Sequence, residues 1–340
     1  MTSPKLITSS DKIFVAGHNG MVGAAICRAL SKYNYNHQLK VNRKDLDLSD
    51  QNAVELFFLK EKPSVVILAA AKVGGIEANR TYPTEYLLEN LKIQTSVIES
   101  AWKFGVRRLL FLGSSCIYPR EANQPITEEE LLKGELEKTN ESYAIAKIAG
   151  LRLCSALRKQ YKFDAISLMP TNLYGPGDNY HPKNSHVLPS LIRKFYMGAK
   201  GNQKSVVCWG TGSPLREFLH VEDLGEACVF ALEQWNPDAI NAPLDKDGKP
   251  LNHLNVGTGI DISIKDLTVL LANITGFNGN IEWDTTKPDG TFRKLLDVSR
   301  LRNLGWNASI NLEEGLKKSL VDFEENYSID NLRNISSKIL

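Results

Sequence analysis

Short unbroken apolar runs alternate with longer segments whose apolar residues recur every three or four positions. Lys12–Ala16 (KIFVA), Leu39–Asn42, Val65–Ala71 (VVILAAA), Arg108–Leu112 (RLLFL) and Ala165–Met169 are too short for helices, so they predict strands. Between them, Met21–Leu30, Asp50–Lys60, Pro83–Phe104 and Ser142–Tyr161 predict helices. Ala53, Val54, Phe57 and Phe58 fall at helical spacing in the second, and Pro83 suits a first helical turn. Strands alternating with helices predict a parallel sheet covered on both faces. After Pro170 the pattern loosens. Turn residues crowd Asn172–Ser185, a density usually tied to function. Helices are predicted near Leu188–Met197 and at Val221–Gln234, Ile264–Ile274 and Leu312–Tyr327, with a strand near Val206–Trp209 and a polar loop at Asn236–Asn252. Met1–Asp11 reads as a flexible leader.

Composition narrows the class. The 340 residues are 42% hydrophobic and 24% charged, ordinary for a globular protein. The 41 basic and 39 acidic residues leave a net charge of +2, which gives no reason to expect nucleic acid or a membrane surface as partner. No apolar run reaches the roughly 18 residues that span a bilayer, and the N-terminus has no apolar signal core. The expectation is a soluble, cytoplasmic protein. Cys27, Cys116, Cys154, Cys208 and Cys228 are odd in number and form no CxxC, which suits free thiols and no metal site.

The chemistry begins at Gly17-His18-Asn19-Gly20-Met21-Val22-Gly23, a GxxGxxG run between a strand and a helix. Gly17 allows a tight turn, Gly20 a close backbone approach to a pyrophosphate, and Gly23 close helix–sheet packing. Arg43, about 20 residues beyond Gly23, stands where an acid would bind the ribose hydroxyl of NAD. An arginine there suits a 2′-phosphate, so NADP(H) is expected, with Asp47 and Leu48 beside the adenine. Tyr143 and Lys147 are spaced to share a helix face. Lysine can lower the phenol's pKa and hold the nicotinamide ribose, while the phenol exchanges a proton with a sugar oxygen. Ser114 or Ser115, at the end of the fourth strand, could bond that same oxygen.

The glycine run, the serine pair and YxxxK, in this order, resemble the extended short-chain dehydrogenase/reductase family. That likeness implies a Rossmann-type doubly wound parallel sheet over residues 1–170. A smaller α/β substrate-binding lobe over 171–327, some of whose segments can return to the first domain, and a polar tail over 328–340 complete the expected organisation. The stretches AAAKVGGI (69–76), LGSSCIYP (112–119), YAIAKIAG (143–150), MPTNLYG (169–175), NSHV (184–187), REFLHV (216–221) and KPDGT (287–291) are similar, more narrowly, to the GDP-L-fucose synthase family. This resemblance implies 3,5-epimerisation of GDP-4-keto-6-deoxy-D-mannose, followed by reduction of the C4 ketone with NADPH. Cys116 would be the base and His186 the acid, with Tyr143, Ser114 and Lys147 handling the C4 oxygen. It also places His186, Leu112, Gly113, Ser114, Ser115, Pro170, Thr171, Asn172 and Leu173 along the cofactor. Lys194, Trp209, Arg216, Asp289 and Lys294 fall at the nucleotide-sugar end. The two long helices commonly build a homodimer interface in the family. Two positions depart from its pattern: Asn19 where arginine is frequent, and Phe292 where proline is common. The competing reading is a related nucleotide-sugar epimerase or dehydratase that recycles a tightly held NAD(P).

Overall fold

The computed structural model describes residues 5–326 apart from Lys183 and Pro288, so the tail expected at 328–340 lies outside the described residues. In chain order the first half runs β1 (Ile13–Ala16), α1 (Met21–Lys32), β2 (Gln38–Leu39), α2 (Gln51–Glu61), β3 (Val65–Leu68), α3 (Ile76–Thr81), α4 (Pro83–Lys103), β4 (Arg108–Leu112), α5 (Glu141–Tyr161) and β5 (Ala165–Pro170). The second half adds β6 (Asn172–Tyr174), α6 (Val187–Lys200), β7 (Ser205–Trp209), β8 (Leu215–His220), α7 (Val221–Gln234), β9 (His253–Val256), β10 (Asp261–Ser263), α8 (Ile264–Thr275), β11 (Asn280–Asp284), β12 (Arg293–Lys294), α9 (Ser299–Asn303) and α10 (Leu312–Asn326).

A parallel sheet of order β2-β1-β3-β4-β5-β9 forms the centre. Every residue of β1, β3, β4 and β5 is buried, which is why these strands read as unbroken apolar runs. One face packs Ile13, Val15, Ile26, Leu30, Leu224 and Trp235 together; the other packs Phe14, Phe58, Val66, Val97 and Phe111. The strand order reverses beside β1, with β2 on one side and β3 on the other. Open α/β sheets bind ligands in the crevice at such a reversal, beyond the carboxyl ends of the strands. A second sheet sets β10-β8-β12 side by side with β6 also on β8, next to a β11–β7 pair. This region has its own core around Tyr174, Phe195, Leu267 and Phe323. β9 and α7 cross back: β9 pairs with β5, and α7 packs on α1.

Several expectations change. The leader is anchored from residue 5: Ile7 is fully buried, Leu6 donates to the Glu233 carbonyl, and Asp11 pairs with Arg107 at 2.6 Å. An apolar side chain with a core slot fixes even a terminal segment. β2 stops at Leu39 because Asn42 turns the chain, accepting from Asp45 and Leu46. The run after Leu68 leaves the sheet where the Gly17 loop closes over Ala70. β8 escaped the pattern because it carries Arg216 and Glu217 inside it. Glu217 is fully buried and accepts backbone N–H groups from Leu296 (3.0 Å) and Gly259 (2.7 Å). Paired in this way, a charge can sit in a core strand.

Candidate active site

The glycine run folds as a tight turn that leads into α1. Gly17 has φ +92°, and a Cβ there would lie 2.7 Å from the Ala70 nitrogen. A Cβ on Gly23 would lie 2.1 Å from the Gly17 oxygen, so neither position tolerates a side chain. Gly20 caps α1 without any side-chain bond, leaving the first-turn amides of Met21 and Val22 and the positive helix end for an anion. Asn19 donates to Asn42 Oδ1 at 2.8 Å and so ties this loop to the segment after β2. Arg43 is exposed just beyond. Burial, aided by the charge of Lys40, lowers the pKa of His18. Asp47 is held as a carboxylate chiefly by Ser49, with Arg43 adding to the effect, and Leu48 packs on the α2–α4 side of the core. An open helix end for a pyrophosphate and nearby cations for a further phosphate fit NADP(H).

The reacting end is built on β4 and α5. After Leu112 and Gly113, the chain makes a 3-10 turn at Ser115–Ile117, capped by Ser114 Oγ accepting from the Cys116 amide at 3.2 Å. Ser115 is buried, whereas Ser114 is half-exposed and bonds the Tyr143 phenol. Tyr143 and Lys147 lie one turn apart on α5. Lys147 Nζ donates to the Leu112 carbonyl at 2.8 Å and sits 5.9 Å from the Tyr143 ring centre. Burial pushes Lys147 down to about 8. Burial also raises the phenol pKa, with the charge of Cys116 adding and Ser114 opposing. The sequence suggested that lysine lowers the phenol pKa; here the lysine is turned to a carbonyl, and the phenol is a protonated donor.

Cys116 is the one half-exposed cysteine; the other four are buried, and all five are free. Its sulfur accepts from Asn140 Nδ2 at 3.2 Å and from Lys294 Nζ at 3.5 Å. His186 caps α6 and stays open to the cleft, although protein surrounds its ring. That surrounding lowers its pKa, and the nearby positive charge of Lys294 acts in the same direction. The segment that carries His186 rests on the turn after β3. Gly75 donates to the Asn184 carbonyl, and a Cβ there would lie 2.5 Å from the Ser185 oxygen. Asn79 holds that turn by donating to the carbonyls of Gly74 and Gly75. Thus Ser114, Cys116, Tyr143 and Lys294 come together from three separate segments, and His186 lies near enough for the charge of Lys294 to act on its ring.

The other candidates are dispersed around this centre. Thr171 and Asn172 both donate to the Glu217 carbonyl, fixing the crossing from β5 to β6, with Pro170 and Leu173 packed beside them. Lys194 donates to the Val207 carbonyl and lies 5.5 Å from the ring centre of Trp209, which is 59% exposed. Lys287 approaches the same ring at 5.6 Å. Arg216 is half-buried; burial lowers its pKa, while Asp289 and Glu137 oppose. Asp289 accepts from the Thr211 amide (3.0 Å) and hydroxyl (2.7 Å), closing one rim loop on another. Sequence reasoning missed Asn140 and the Gly75–Asn79 turn. An N-cap asparagine just before YxxxK was a usable signal for the first; nothing local marked the second.

Residues 13–242 match the model of the NAD dependent epimerase/dehydratase family. GDP-L-fucose synthase 1 of Arabidopsis thaliana is 54% identical over 310 residues, 91% of this chain and 92% of that one. Among solved structures, a GDP-6-OMe-4-keto-L-xylo-heptose reductase from C. jejuni superposes with a TM-score of 0.87 at 35% identity, covering 94% of this chain and 99% of that one. A GDP-L-fucose synthetase from Naegleria fowleri bound to NADP gives 0.82 at 26% identity, over 96% and 98%. The chain belongs to the NAD dependent epimerase/dehydratase family, among the GDP-L-fucose synthases.

Proposed function

We propose that the protein makes GDP-L-fucose from GDP-4-keto-6-deoxy-D-mannose, inverting C3 and C5 before the C4 ketone is reduced. The cofactor is NADP(H), which supplies the hydride when bound. The carrying observation is the meeting of Cys116 and His186 around Lys294, beside the Tyr143–Ser114 pair. A ketone acidifies the carbons on either side of it. Cys116 takes a proton from such a carbon, and the C–H electron pair moves into an enolate whose oxygen faces the Tyr143 phenol and Ser114. His186 returns a proton from the opposite face; its lowered pKa makes it, once protonated, a ready donor to carbon. During reduction the same phenol, protonated at rest, gives its proton to the C4 oxygen. Lys147 orients the ribose beside it.

Lys194, Arg216 and Lys294 supply cations for a diphosphate, and Trp209 an aromatic face for sugar or base. The partly exposed Leu88 on α4 and Ile145 on α5 suit a second copy of the chain, giving a homodimer. The test is incubation with GDP-4-keto-6-deoxy-D-mannose and NADPH, with the product read by NMR. One NADPH consumed per GDP-L-fucose is expected. NADPH left unconsumed would instead favour an epimerase that recycles its cofactor.

A further inference from the structure

Asn140 occupies the N-cap of α5, three residues before Tyr143. Asparagine is favoured there because its side chain can accept from the first-turn amides. In this protein it makes no such bond. Its amide turns instead to the neighbouring 3-10 turn, where Nδ2 donates to Cys116 Sγ at 3.2 Å. The carbonyl end, Oδ1, is left buried with no hydrogen-bond partner. Buried acceptors are rarely left bare, so this orientation forgoes both a cap and an acceptor bond to keep one contact with sulfur. Lys294 also reaches the sulfur, but it comes from β12 in the other sheet, and a bound diphosphate would compete for its ammonium. Asn140 shares a domain with Cys116 and has no such competitor.

We propose that Asn140 is a positioning residue for the epimerisation step, a fixed donor that holds the Cys116 sulfur toward the sugar. The inference rests on the function proposed above. When the thiolate takes the carbon-bound proton, an S–H bond forms, the C–H pair enters the enolate, and the amide N–H keeps the sulfur in place throughout.

Two variants separate this role from helix capping. Asn140→Ser keeps a favoured cap but is too short to reach the sulfur; Asn140→Asp replaces the donor with an acceptor. Near-UV circular dichroism and NADPH binding check that both fold. Alkylation by iodoacetamide reads Cys116, since the other cysteines are buried. In both variants alkylation at pH 7 is expected to slow several-fold. Deuterium uptake by the ketosugar should fall about tenfold or more in kcat with KM unchanged, as for a lost hydrogen bond to a charged group. Wild-type rates of alkylation or of exchange in either folded variant would overturn the proposal. If the wild-type protein itself takes up no deuterium, the proposed function fails, while the alkylation comparison still decides the role of Asn140.

Discussion

At the scale of single residues, burial and neighbouring charge bias the groups of the candidate site in different directions. Tyr143 is held protonated, and the His186 pKa is lowered by burial and by Lys294. Cys116→Ser should slow deuterium uptake at C3 and C5 by about 100-fold or more, and Tyr143→Phe should slow ketone reduction similarly; normal exchange or normal NADPH turnover would contradict the assigned roles. Lys294 pushes the His186 pKa down, so Lys294→Met should move its NMR titration midpoint up from a wild-type value below 6.5. A downward or absent movement would remove Lys294 from the electrostatics of that ring. Lys147 makes stability depend on pH. Its folded pKa of about 8 lies below the ordinary lysine value of 10.5, so below pH 8 the folded state carries a buried ammonium at a cost, which fades as pH rises through 8 to 10.5. Lys147→Met should therefore melt higher at pH 6.5, by about 2–3 kcal/mol of stability, with the advantage shrinking toward pH 10 and reduction lost. An advantage that grows with pH would reverse the argument.

At the scale of elements, three short turns aim the chemistry. The Gly17 loop opens α1, the Ser115–Ile117 turn carries Cys116, and the Gly75 turn carries the His186 segment. Adding a methyl group at Gly75 has no room beside Ser185. Gly75→Ala should displace His186 and lower deuterium exchange by about 100-fold, the scale of a misplacement near 1 Å, with NADPH affinity unchanged in a fluorescence titration. Equal loss of cofactor affinity would mean that the turn supports the whole fold. Elements whose chemistry is local were legible in the sequence. GHNGMVG and YAIAK set their own geometry through turn and helix spacing, and α7 and β4 appear at the expected residues. β8 was not legible, because a buried carboxylate satisfied by backbone amides breaks the apolar pattern. The ordered leader was not legible either, since the slot for Ile7 is made by residues far along the chain.

At the scale of the whole molecule, the site exists because the second half of the chain returns to the first. Cys116 and Lys294 meet across 178 positions, and Asn255 on β9 accepts from the buried Tyr118 of the Cys116 segment at 2.6 Å. No local pattern announces such meetings, which is why the sequence named Cys116, His186 and Lys294 through resemblance and the geometry then brought them to one place. Among the described residues no helix is long and apolar enough to cross a membrane. The central claim is that one ketone, held by one polar cluster, is first the source of carbon acidity and then the hydride acceptor. Running GDP-4-keto-6-deoxy-D-mannose with NADPH in deuterated water and reading the product by NMR tests it most directly. The expected product is GDP-L-fucose with deuterium at C3 and C5 and protium at C4. A C4-reduced sugar that retains its C3 and C5 configuration and carries no deuterium would contradict it.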